Sequence, residues 1–140
     1  MCIRDRAYDA ATGSGSISTH DASAVRSDSQ LPGPVATTRR QQVRDPEMLS
    51  AQAFSHDIVD FYEGLGRNSW DDAGGDLVSS VHYGGDDFCN AFFSSSLRQP
   101  QMVYGNPCHL DGRQVSDSLV EPDVAAHEIC LLYTSDAADE

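Results

Sequence analysis

The sequence predicts an α+β fold with a mainly antiparallel β-sheet, one long helix over about 45–65 and the start of a second helix over about 122–129. Three observations carry this. Apolar residues recur at helical spacing in the first of these segments. Three short runs of β-forming residues follow between residues 77 and 105, separated by Gly, Asp and Ser clusters. A helical pattern then resumes at Asp123.

Residues 7–44 are rich in Ala, Ser, Thr, Gly and Asp, and Leu31-Pro32-Gly33-Pro34 marks a turn. Ile17 and Val35 belong to short edge strands or loops. At Asp45-Pro46-Glu47 a helix start is written in full: a carboxylate to accept orphan amides, a proline with the φ of a first helical position, and an acid at the positive end of the dipole. Ala51, Phe54, Ile58, Phe61, Tyr62 and Leu65 then form one face, and Gly64 and Gly66 supply a stop. After the loop Asn68–Gly75 come strands at Leu77–Tyr83, Asn90–Phe93 and Gln101–Gly105, the last two forming a hairpin.

Charge narrows the function. The chain has 9 Lys+Arg, all arginine, against 22 Asp+Glu, a net charge of -13. Such a surface excludes phosphate-rich nucleic acid and docking on an anionic membrane as partners. No apolar run reaches the roughly 18 residues of a membrane span, and neither a Gly-rich phosphate loop nor a Gly-x-Ser-x-Gly elbow is present.

The two ends read as foreign to the protein. Met1–Arg6 back-translates as ATG TGT ATA AGA GAC AG, whose reverse complement CTGTCTCTTATACACAT encodes Cys-Leu-Leu-Tyr-Thr, the residues Cys130–Thr134. One inverted DNA element thus writes both tracts, resembling read-through of a transposon-end sequencing adaptor. Residues 1–6 and 130–140 are accordingly expected to be adaptor-derived. Segment 7–129 keeps 7 arginines, 18 acids and two cysteines, Cys89 and Cys108. These bracket the hairpin at a spacing compatible with a disulfide; two free buried thiols are the alternative. His20 and His56 are expected to face solvent, and His82 to be structural.

The pair His127-Glu128 bears chemistry. Two histidines four residues apart on a helix grip one zinc ion, and the glutamate between them deprotonates the bound water. Here Leu131 stands where the second histidine would be. The ordered strings Val81-His82-Tyr83-Gly84, Asn90-Ala91-Phe92-Phe93, Gln101-Met102-Val103-Tyr104-Gly105 and Asp123-Val124-Ala125-Ala126-His127-Glu128 resemble the thermolysin family of zinc metalloendopeptidases over most of 18–129. The resemblance implies that 7–129 is part of the N-terminal β-rich domain of such a peptidase, ending in the truncated start of its zinc-binding helix. It further implies Glu128 as catalytic base, His127 as a Zn2+ ligand and Asp123 as a Ca2+ ligand. Asn90, Ala91 and Phe92 would bind substrate along a strand edge.

The remaining expectations also follow from that likeness: a secreted enzyme, peptide or protein substrates, and a piece inactive by itself. The sequence departs from the family at Phe93, usually Trp, and at Asn106-Pro107-Cys108-His109, which replaces an Asp-Gly-rich stretch. A non-catalytic, disulfide-pinned extracellular binding module and a pseudo-peptidase are the alternatives.

Overall fold

The computed structural model describes residues 15–36, 45–97 and 99–136. The suspected adaptor tract 1–6 and the last four residues of the tract 130–140 lie outside the described residues. In chain order the elements are β1 (Ile17–Asp21), α1 (Pro46–Gly64), β2 (Leu77–Val81), β3 (Ala91–Ser94), β4 (Gln101–Tyr104), β5 (His109–Leu110), β6 (Arg113–Gln114) and α2 (Pro122–Asp136). Short 3-10 turns stand at Asp28–Gln30 and Gly85–Asp87. The second helix therefore runs past residue 129. None of the described helices is long and apolar enough to cross a membrane.

The α+β class holds, but the sheet is mixed rather than mainly antiparallel. Its order is β1-β2-β4-β3; β1–β2 and β2–β4 run parallel, and only β3–β4 is antiparallel. The reason lies in the connections. Helix α1 is the crossover that returns the chain to lay β2 alongside β1 in the same direction, as parallel pairs require. The β3–β4 hairpin then reverses the chain once more, so that β4 also runs with β2. Side-chain pattern within one strand reports which faces are buried, not the direction of the neighbour.

The sheet has a core on each face. Leu77, Val81, Met102 and Tyr104 pack with Met48, Ala51 and Val59 of α1 and with Ala125 and Ile129 of α2. Val103 packs on the opposite face with Ala22, Val25 and Leu31, against which Tyr83 and Phe92 are set. This two-sided cover buries every residue of β2 and β4.

Helix α1 starts as its sequence specifies: Asp45 Oδ1 accepts from the amides of Glu47 and Met48, both at 3.0 Å. Its buried face, however, is rotated from the apolar count. Met48, Ala51, Gln52, Ser55 and Val59 are buried, while Phe61 and Leu65 are 63% and 67% exposed. Polar pairs fix that face. Thr19 Oγ1 donates to Gln52 Oε1 at 2.7 Å, Gln52 Nε2 donates to the Ile17 carbonyl at 3.2 Å, and the Ser55 and Ser79 hydroxyls meet at 3.3 Å. Buried polar groups that find partners carry little cost, so they can sit where an apolar stripe is expected. His20 is a second correction. It is only 9% exposed, its ring reaching the Gly33 carbonyl at 2.9 Å and Ser18 Oγ at 3.1 Å. His56 is half-buried against Gln52.

At the end of β2 the chain turns through His82, which has φ +69. Its Nε2 lies 3.0 Å from Asp45 Oδ2, and its Nδ1 lies 2.7 Å from Asn106 Oδ1 and 3.3 Å from Glu47 Oε2. Both ring nitrogens thus face acceptors, the arrangement of an imidazolium. Glu47 Oε1 accepts from the Ser118 hydroxyl at 2.7 Å, and Asn106 Nδ2 donates to Asp86 at 3.3 Å. Burial lowers the His82 pKa, but Asn106 and the carboxylates of Asp45 and Glu47 outweigh it and raise the value above 6.5. A histidine with a raised folded-state pKa adds stability in full below its unfolded pKa and loses it as pH rises through the folded one. The melting temperature should therefore fall between pH 6.5 and alkaline pH in the native chain. In His82→Gln the same scan by circular dichroism should be flatter, with a loss of about 1–2 kcal/mol at pH 6 that shrinks toward pH 9.

Candidate active site cleft

Strand β3 is an edge: it pairs with β4 on one side only. The segment leading into it is held by two constraints. Gly105 N donates to the Asn90 carbonyl at 3.0 Å, and a Cβ at Gly105 would lie 2.1 Å from the Phe88 carbonyl oxygen, so only glycine lets the two backbones approach this closely. Cys89 is bonded to Cys108, Cα to Cα 5.0 Å, across 19 residues of chain. Asn90 and Ala91 are thereby fixed beside α2.

Helix α2 opens with Pro122, and in its first turn Asp123 Oδ1 accepts from the Val124 amide at 3.0 Å. It buries Ala125, Glu128 and Ile129 and leaves Asp123 and His127 exposed. Between this helix and β3 is an open cavity of about 490 Å³, with Asn90, Ala91, Asp123, His127 and Glu128 in its walls. Five of the six residues expected to act on substrate or metal are thus gathered in one place. The sixth, Phe92, is not. Alternation along β3 turns it to the opposite face, where it stands against Tyr83 and Phe88 in a second cavity that shares only Asn90 with the first.

Glu128 is 6% exposed. Burial raises its pKa, opposed by the charge of His127 and by a hydrogen bond from the Phe93 backbone. Its Oε2 has no hydrogen-bond partner, and neither has the hydroxyl of fully buried Tyr104. Burial, with the nearby Glu128 charge, pushes the Tyr104 phenol well above its ordinary pKa. Tyr104 was not a candidate from sequence, where it reads as one more apolar strand residue; its tie to Glu128 exists only once α2 is laid on β4.

The donors present do not make a catalytic zinc centre. Such a site needs three protein ligands and an open position, whereas His127 offers one nitrogen and the position one turn later is Leu131. Among the described residues no group of three metal-type donors includes His127 or Asp123. The one such group, Asp45, Glu47 and His82, has donor atoms within 4.8 Å of one another. Its carboxylates already engage opposite nitrogens of the His82 ring.

What the geometry gives is an edge strand facing a His-Glu helix across an open cleft. Comparison supplies the family. The sequence profile described as "Thermolysin metallopeptidase, catalytic domain" matches residues 4–130, and the chain belongs to that family. Bacillolysin of Bacillus cereus is 31% identical over 132 residues, which is 91% of this chain and 21% of that protein. The extracellular metalloprotease of Pectobacterium carotovorum subsp. carotovorum is 32% identical over 130 residues, 90% of this chain and 34% of that one. Among solved structures, the precursor of protealysin from Serratia proteamaculans superposes with a TM-score of 0.68 at 26% identity, covering 89% of this chain and 36% of its own. The chain thus spans little more than a third, at most, of the length of these relatives.

Two stability outcomes follow from the cleft. Replacing both Cys89 and Cys108 by Ser should lower unfolding free energy in urea by about 3 kcal/mol, the loop-closure value for a ring of this size. Tyr104→Phe, which deletes a buried hydroxyl that has no partner, should leave stability unchanged or raise it by up to about 1 kcal/mol in the same assay.

Proposed function

We propose that segment 7–129 is part of an extracellular zinc endopeptidase and contributes one wall of its substrate cleft. The observation that carries this is the convergence of Asn90, Ala91, Asp123, His127 and Glu128 on one cavity in a chain of the thermolysin family. The free edge of β3 pairs with an extended peptide through backbone hydrogen bonds, with Asn90 and Ala91 fixing its register. Glu128, a carboxylate in the cavity wall whose pKa is raised by burial, is the base that takes a proton from water at the scissile carbonyl. His127 is one zinc donor and Asp123 one calcium donor of sets completed by residues elsewhere in the longer protein.

Because His127 is the one zinc donor these 140 residues bring to the cleft in this proposal, where three are needed, they should hydrolyse no peptide bond by themselves. Incubated with casein and added zinc, the chain should release no peptides above background, and zinc-dependent release would overturn this part of the reading. Residues 1–6 and 130–140 are adaptor-derived in this proposal, a reading supported by the inverted element that encodes both. Sequencing the source DNA across the Ile129–Cys130 junction tests it. The expected frame continues with any residue, then His, and later a Glu ligand. Genuine coding of Cys130-Leu131-Leu132 would instead make the protein a pseudo-peptidase or a binding module.

A further inference from the structure

The second cavity, about 460 Å³, lies across Asn90 from the first and is lined by Asp28, Tyr83, Gly84, Phe88, Asn90 and Phe92. Its wall is aromatic. Tyr83, Phe88 and Phe92 meet pairwise edge to face, with ring centroids 5.2 to 6.2 Å apart. Gly84, at φ +77, lets the Phe88 side chain fold over the turn; a Cβ there would stand 2.4 Å from the Phe88 Cβ. On the rim is Asp28, whose carboxylate accepts the hydroxyl of Tyr83. Three π-systems and a carboxylate make a site for a cation with an aliphatic stem: the rings attract charge through their faces and cover the stem, and the acid pairs with the head. The net charge of -13 favours such a group at longer range.

Strand geometry says how such a group arrives. Side chains of an extended peptide alternate in direction, as those of β3 do. Ala91 lines the first cavity, Phe92 the second, and Asn90 both. A peptide paired to the free edge of β3 therefore sends successive side chains to different cavities.

We propose that the Asp28–Tyr83–Phe88–Phe92 cavity is a recognition pocket for a cationic side chain, arginine before lysine, of an extended peptide lying along β3. Arginine is preferred because its planar guanidinium stacks on rings while its fork reaches a carboxylate. This rests on the reading of β3 as a peptide-binding edge, and the experiment separates the two. The isotope-labelled full chain is titrated by NMR with capped acetyl-Val-Arg-Val-Gly-amide and with its citrulline and norleucine counterparts.

The expected result is that all three shift the Asn90 and Phe92 amides, with the arginine peptide at least about threefold tighter than the citrulline one. That margin should shrink in about 0.5 M salt and vanish in Asp28→Asn. Phe88→Leu, which keeps bulk but removes a π-face, should reduce it. Equal affinities with the same amides shifting would overturn the cation pocket and leave the edge reading standing. A margin that survives both variants would move cation recognition away from this cavity and overturn the assignment. Silence of the β3 amides toward every peptide would overturn both readings.

Discussion

An imidazole held between two carboxylates and a carboxamide ties together the segments around the cleft. His82 receives Asp45 on one nitrogen and Asn106 with Glu47 on the other. Through these contacts the N-terminus of α1, the end of β2 and the exit from β4 share one point. Ser118, on the approach to α2, joins it by way of Glu47. Both cavities hang from this node at short range: Tyr83 follows His82 directly, and Gly105, against which Asn90 rests, precedes Asn106. Asp45 has two duties, since one oxygen caps the helix while the other takes the histidine. Helix start and strand end are thus fixed by a single carboxylate.

Local chemistry was legible in the sequence, and relations between distant segments were not. The start of α1 is carried by Asp45 and Pro46 alone, and the structure places it there because those two residues need no partner beyond the helix itself. The three later strands were readable from β-branched and aromatic content. Strand direction was not, because it depends on where α1 deposits the chain. The buried face of α1 was misread since apolar counting gives Gln52 and Ser55 no weight, although they bond to Thr19, Ile17 and Ser79. Phe92, marked together with Asn90 and Ala91 as substrate-binding, stands in a separate cavity on the other face of β3 for a related reason. A motif names a strand, while the pleat decides which of its residues share a face. Asn90, Ala91, Asp123, His127 and Glu128 were each marked beforehand by the family resemblance; that they line one cavity emerges only when α2 packs on β3.

The Glu128–Tyr104 pair shows what the cleft demands of the core beneath it. Two polar atoms are left without hydrogen-bond partners in a region otherwise closed by apolar packing. Unsatisfied buried groups are rare and cost roughly 1–3 kcal/mol each when they occur. Among the other described residues buried polar side chains find partners, as Ser80 does with Gln101 at 2.7 Å. The exception sits where Glu128 joins the cavity wall to the core, with both unpartnered atoms, Glu128 Oε2 and the Tyr104 hydroxyl, on the buried side.

The bond between Cys89 and Cys108 closes a covalent ring that contains the whole β3–β4 hairpin. A single backbone cut anywhere between Ser94 and Gln101 would leave both fragments tethered, with β3 still hydrogen-bonded to β4. In surroundings where peptide bonds are being broken, a connection exposed at Ser95 and Ser96 can be nicked there without shedding the strand that lines the cleft. The crosslink therefore confers tolerance to damage as well as rigidity, and it places that tolerance in the segment where a lost strand would abolish the cleft.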